Sequence, residues 1–274
     1  LIALSLVFPS PARNALAGVA ETAQSAFVAA QAPSAPLAGN GGDNASNSAY
    51  SPAWDTGDNG GSGFGVWTLT GSGSSGFFVG SSTGNNSGPD NGNDGDINST
   101  GGKSWGLYAN TSQSANAVRP LNAPLYPGSV YTIFMDNGNV DTNSTVGFGL
   151  QNSAGNTMVE VFFKGGNSNY SVKGDTEINS GVAFTREGLR IVVTITAPSS
   201  YQVAIRRSLE SAVTTVSGNL ANASLGQVID RVRLYNANAG SGSTNDVYFD
   251  NISYSAADPI CNPSSSTTSI AAFV

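Results

Sequence analysis

The chain has 274 residues, room for one large or two small domains, and its 39% hydrophobic content is enough to build a core. Only 11% of its residues are charged, against roughly 25% in ordinary soluble domains, and the net charge is −7, so the cations that nucleic-acid binding needs have no source here. With no histidine and one cysteine, Cys261, the chain excludes Ser-His-Asp and Cys-His catalysis, His-held zinc or haem, and an intrachain disulfide. Its polarity comes from amides and hydroxyls, a surface that suits an exported protein.

Residues 1–17 read as the remnant of a signal peptide. The apolar run Leu1-Ile2-Ala3-Leu4-Ser5-Leu6-Val7-Phe8 is followed by Pro9 and Pro11, and Ala15-Leu16-Ala17 supplies the small-x-small pattern that signal peptidase accepts. The run is too short to span a bilayer, which takes about 20 apolar residues. The expected location is therefore secreted or at the cell surface. Residues 18–39, rich in alanine with Pro33 and Pro36, read as a leader or linker. The folded body is expected over 40–256. The Ser/Thr/Pro-rich stretch 257–274 reads as a linker or the start of a truncated region.

Within the body, short β-branched and aromatic runs alternate with Gly/Asn/Ser/Asp clusters at the spacing of an all-β fold. Strands are expected at 65–69, 76–79, 104–108, 130–135, 146–150, 158–163, 189–195, 201–205, 228–235 and 247–252. Asp230-Arg231-Val232-Arg233-Leu234 alternates, which points Val232 and Leu234 to the core and Arg231 and Arg233 away from it. Ile191-Val192-Val193 is apolar on both faces, as a central strand is. A two-sheet antiparallel jelly-roll sandwich satisfies both patterns.

Chemistry-bearing groups are sparse. Asp90-Asn91-Gly92-Asn93-Asp94-Gly95-Asp96 sets carboxylates at intervals around glycines, as oxygen-rich calcium loops do, which makes Asp90, Asp94 and Asp96 candidate ligands. The second acidic stretch, 136–141, reads as a hairpin connection. Sugar binding needs aromatic faces and planar amides; Trp105, Tyr108 and Trp67 are candidates for the first role and Gln151 and Asn152 for the second, with Trp54, Tyr170, Asn167 and Asn169 behind them. Glu160, between Val159 and Val161 on an expected strand, can point into a concave face. Glycoside hydrolysis normally needs a second carboxylate, and the sequence offers Glu160 no evident partner.

The segments around Tyr50-Ser51-Pro52-Ala53-Trp54, Gly102-Lys103-Ser104-Trp105-Gly106-Leu107-Tyr108 and Val146-Gly147-Phe148-Gly149-Leu150-Gln151-Asn152 resemble a group of secreted bacterial proteins. The ending Phe249-Asp250-Asn251-Ile252 is similar to the last strand of jelly-roll carbohydrate-binding modules and concanavalin A-like lectin and glucanase domains. That resemblance implies a concanavalin A-like sandwich, a structural-calcium role for Asp250, and a polysaccharide or glycan surface as partner. The expectation is a non-catalytic carbohydrate-binding or surface-attachment domain. The alternatives are a purely structural surface domain and a glycoside hydrolase or lyase built around Glu160. The Glu-x-Asp-x-x-Glu pattern of the concanavalin A-like glucanases is absent, since Glu160 is followed by Val161, Phe162, Phe163 and Lys164.

Overall fold

A computed structural model describes residues 37–85, 97–99, 101–223 and 227–258, all within the second of the two units into which the chain divides, Ala35–Val274. The signal-peptide and leader expectations for 1–36, the stretch 259–274 and the candidate ligands Asp90, Asp94 and Asp96 lie outside the described residues.

The described residues form strands in the following chain order. The first seven are β1 (Leu37–Asp43), β2 (Thr68–Gly71), β3 (Ser75–Gly80), β4 (Ser104–Ala109), β5 (Ser114–Leu125), β6 (Val130–Asn137) and β7 (Thr145–Gln151). They continue with β8 (Thr157–Lys164), β9 (Asn169–Lys173), β10 (Glu177–Ala183), β11 (Leu189–Ala197), β12 (Ser200–Arg207), β13 (Thr214–Asn219), β14 (Ile229–Ala237) and β15 (Val247–Ala257). They pair antiparallel into two sheets, so the expected two-sheet sandwich is the architecture. The eight-stranded sheet runs β13-β12-β11-β6-β15-β4-β3, with β1 also on β15, and the seven-stranded sheet runs β10-β9-β8-β7-β14-β5-β2.

On the edge away from β6, strand β15 serves two partners along its length: Val247–Phe249 pair with β4, and Ile252–Ala257 pair with β1. The change of partner falls at Asn251, whose φ of 49° is the left-handed conformation that Asn tolerates better than most residues. β11 lies between β12 and β6, but only one of its faces is covered: Leu189, Ile191, Val193 and Ile195 are buried, whereas Arg190, Val192 and Thr194 are partly exposed. Between the sheets, inward residues alternate with outward ones. Tyr131 of β6 and Phe148 of β7 meet with ring centroids 6.3 Å apart, inside a core that also buries Ile133, Met135, Val146 and Leu150. Each such side chain contributes about 1.5–3 kcal/mol when fully buried.

At one end of the core, Arg119 of β5 is 0% exposed. Its Nη1 donates to Asp43 Oδ2 at 2.6 Å, its Nη2 to Asn59 Oδ1 at 2.8 Å and the Gly60 carbonyl at 2.7 Å, and its Nε to the Gly65 carbonyl at 2.8 Å. The guanidinium also lies over the rings of Phe64 (4.7 Å) and Trp67 (5.1 Å). Tyr50 donates to Asp43 and accepts from Trp67 Nε1 at 3.2 Å. One cation thus pins the long connection between β1 and β2 to the sandwich.

Two expectations are corrected here. The stretch 136–141 is not a hairpin connection, because it leads from β6 in one sheet to β7 in the other. The sandwich also reaches beyond 40–256, since β1 takes in Leu37–Gly39 and β15 ends at Ala257.

Candidate functional site

The outer face of the seven-stranded sheet gathers charged and aromatic groups that do not serve the core. On β7 the inward residues are Val146, Phe148 and Leu150, so the outward positions between them are Gly147 and Gly149. On β14, Val232 and Leu234 point inward and Arg231, Arg233 and Tyr235 outward, as the alternation in the sequence predicts. On β8 the inward Val159, Val161 and Phe163 leave Glu160, Phe162 and Lys164 outside.

Register turns these positions into rows. Arg233 faces Gly149, Gly149 faces Glu160, Glu160 faces Lys173 and Lys173 faces Glu177, one row across β14, β7, β8, β9 and β10. The next row is Tyr235, Gly147, Phe162, Ser171 and Asn179. With no side chain at Gly147 or Gly149, the residues of β14 and β8 face each other across a furrow along β7. Tyr235 Oη approaches Glu160 Oε2 at 3.5 Å, a long contact at the edge of hydrogen bonding. Although they sit on the outer face, Tyr235 is 5% and Phe162 6% exposed, which shows how closely the furrow's walls stand. The Arg233 guanidinium lies over the Tyr235 ring at 4.6 Å, and its Nε donates to Asn116 Oδ1 at 2.8 Å.

Burial pushes the Glu160 carboxyl above its ordinary range. Lys173, Arg233 and the Tyr235 hydroxyl pull it back, and the Glu177 charge adds to the rise. Burial and then the Glu160 charge likewise drive the Tyr235 phenol up, against Arg233. Beyond Lys173 the face opens into a groove of about 510 Å³ lined by Gly166, Asn167, Ser168, Asn169, Ser171, Glu177 and Asn179. Ser171 Oγ donates to Glu177 Oε1 at 2.8 Å, and Asn169 Nδ2 donates to Asn179 Oδ1 at 3.0 Å. The face therefore offers amides, hydroxyls, carboxylates and cations, while the rings of Tyr235 and Phe162 are buried among them.

The structure brings only part of the expected site together. Glu160 lies at the furrow's centre. Gln151 lies at its end opposite Arg231, with its Nε2 on Thr157 Oγ1 at 3.2 Å. Asn152 is a turn residue instead: its Oδ1 accepts from the N–H groups of Ala154 and Asn156, and its Nδ2 donates to Gln227 Oε1 at 2.6 Å. Trp67 and Trp105 are core residues, both 0% exposed and 5.6 Å apart edge to face, so neither offers a ring face to a ligand. Trp54 and Tyr170 are buried as well.

Tyr108 is 39% exposed but lies on the other sheet, where its ring covers Gly76 next to Phe78. Asp250 is buried, accepts the Ala45 N–H at Oδ1 (2.8 Å) and lies beside Asn251 Nδ2 at Oδ2 (3.2 Å). Among the described residues no group of three or more His, Cys, Asp or Glu side chains could hold a metal, and no helix is long and apolar enough to cross a membrane. The furrow residues that the sequence did not single out are Lys173, Glu177, Phe162, Ser171 and Tyr235. The available signal was the Gly-x-Gly spacing of β7, which marks a strand with an empty outer face.

No protein-family model and no curated protein matches the chain. Solved structures similar to it include the cellulose-induced protein Cip1, at 12% identity and a TM-score of 0.44 over 69% of this chain and 90% of that one. The lectin-like defence protein arcelin-5 of Phaseolus vulgaris is similar at 9% identity and a TM-score of 0.38, over 69% of this chain and 97% of that one. A sialidase is similar at 9% identity and a TM-score of 0.42 over 57% of this chain, which spans 16% of the sialidase's length. The resemblance to lectin-like and carbohydrate-active β-sandwiches thus reappears among solved structures at low identity.

Proposed function

We propose that this chain is an exported, non-catalytic glycan-binding domain whose binding surface is the outer face of the seven-stranded sheet. The observation that carries this is the furrow over Gly147 and Gly149, walled by Arg233 and Tyr235 on one side and Glu160 and Phe162 on the other, opening into the Asn167, Asn169 and Asn179 groove. Glycans present hydroxyls in fixed directions and C–H faces between them. Planar amides and charged forks answer the first, and this face supplies both. An open groove lined by small polar residues suits a polymer that passes along the surface. Export is supported by the apolar start of the chain with Ala15-Leu16-Ala17 and by the scarcity of charge.

The test is retention of the full chain on a panel of insoluble and gel-embedded polysaccharides, with calcium and with a chelator. Retention on at least one polymer is expected, and the double variant Asn167→Ala/Asn169→Ala should weaken it about tenfold, at ~0.5–1.5 kcal/mol per lost hydrogen bond. Retention nowhere would leave a structural surface role. The chelator arm tests the calcium expected of Asp90, Asp94, Asp96 and Asp250.

One observation favours hydrolysis as a second reading: Glu177 shares a row with Glu160 two strands away. Two inter-strand steps are roughly 10 Å of backbone, near the roughly 6.5–9.5 Å between carboxyls of inverting glycosidases. Release of reducing ends from a retained polymer, abolished in Glu160→Gln, would establish it. A polymer left intact supports binding alone.

A further inference from the structure

The charge on this face runs against the charge of the chain. A protein of net charge −7 repels polyanions as a whole. Yet the outer face of the seven-stranded sheet carries Lys164, Lys173, Arg231 and Arg233 against Glu160 and Glu177, with Asp230 paired to Arg231 at 3.2 Å. Arg233 is the member placed to act on a ligand. Its Nε is fixed by Asn116, its plane is stacked on Tyr235, and its two terminal nitrogens take no hydrogen bond among the described residues. It stands beside Gly149, where the nearest side-chain atoms are Thr157 Cγ2 and Glu160 Cβ, on the row that continues to Lys173. A guanidinium held by its Nε and its stacked face presents the remaining fork in the geometry that grips a carboxylate with two parallel bonds. The one carboxylate facing Arg233 across the furrow is Glu160, which burial pushes above its ordinary range while Lys173 and Arg233 pull it back.

Resting on the glycan-binding reading above, we propose that the furrow selects acidic polysaccharides. The Arg233 fork takes a uronate carboxylate over Gly149, and Lys173 supplies a second positive charge along the row. Two parallel N–H donors match two oxygens of one group, which a carboxylate and a sulfate both offer, and the sulfated gel separates the two.

The test uses the full chain in affinity electrophoresis through gels holding a uronate polymer, the same polymer with its carboxylates methyl-esterified, a sulfated neutral glycan, or a neutral glucan. The expected result is retardation in the uronate gel that falls with added salt and is lost on esterification. Arg233→Gln should weaken it at least tenfold, and Lys173→Gln, at an exposed position, several-fold with unchanged thermal stability. Equal retardation on the esterified polymer, or on the neutral glucan alone, overturns the acidic selectivity and leaves the glycan-binding reading in place. Retardation on the sulfated glycan but not the uronate overturns the carboxylate assignment. Retardation in no gel overturns both readings.

Discussion

Arg119 has its charge balanced inside the core by Asp43 at 2.6 Å, with both side chains at most 1% exposed. Replacing one partner leaves the other charge buried without an answer, so Arg119→Met should destabilise the fold by about 3–5 kcal/mol, read from chemical denaturation. Two other buried acids set a pH dependence. Burial raises the Asp246 carboxyl to about 7 and the Asp250 carboxyl to about 6, the latter moderated by its hydrogen bonds from Ala45, Asn251 and Ser99. Both hold their proton more tightly folded than unfolded. Their contribution to stability is therefore fullest below the ordinary carboxylate value near 3.8 and declines as pH rises through about 7. Melting temperatures measured from pH 4 to 8 should fall across that window. Asp246→Asn should flatten the fall at its upper end, and a profile as steep as the parent's would contradict this account of Asp246. The tryptophans teach the same lesson about interiors: a Trp on a strand is more often core than platform, and the ring contacts among Trp54, Trp67 and Trp105 decide for core.

At the level of elements, β7 makes the site possible by what it lacks. A methyl at Gly147 would run into the Val161 carbonyl of β8, so Gly147→Ala should cost about 1–3 kcal/mol. A methyl at Gly149 meets Thr157 Cγ2 at 3.0 Å, an atom able to give, and otherwise only ordinary contacts with Thr157 Oγ1 at 3.5 Å and Glu160 Cβ at 3.6 Å, so substitution there should fold. Denaturation curves of the two variants should differ accordingly. The pattern Gly147-x-Gly149 was visible in the sequence, as was the outward pair Arg231 and Arg233. Strands β1, β5, β9, β10 and β13 were not. β5 places small Ala115 and Ala117 inward and holds Arg119 and Pro120, so its apolar alternation is weak. β1 is glycine-rich because the ring of Tyr254 occupies the space beside Gly41 that a side chain would need. A charged residue that faces the core and a strand without side chains leave no hydrophobic period to read.

At the scale of the molecule, the sandwich has two outer faces of different character. The eight-stranded sheet presents Tyr108 and Phe78 laid over Gly76 and Gly106, and the seven-stranded sheet presents the charged furrow. The two-sheet architecture followed from strand spacing and alternation. Which face carries the site did not, because one strand's sequence cannot say which partners bring Arg233, Glu160, Lys173 and Glu177 into a single row. That row depends on register across five strands. The measurement that bears most directly on the account is retention on the polysaccharide bound by the parent chain, compared between Gly149→Val, which fills the furrow with a residue suited to a strand, and Tyr108→Ala, which removes the exposed ring of the opposite face. With both variants folded, the account predicts that retention is lost in Gly149→Val and kept in Tyr108→Ala. Retention kept in Gly149→Val and lost in Tyr108→Ala would place the binding surface on the eight-stranded sheet and contradict the account.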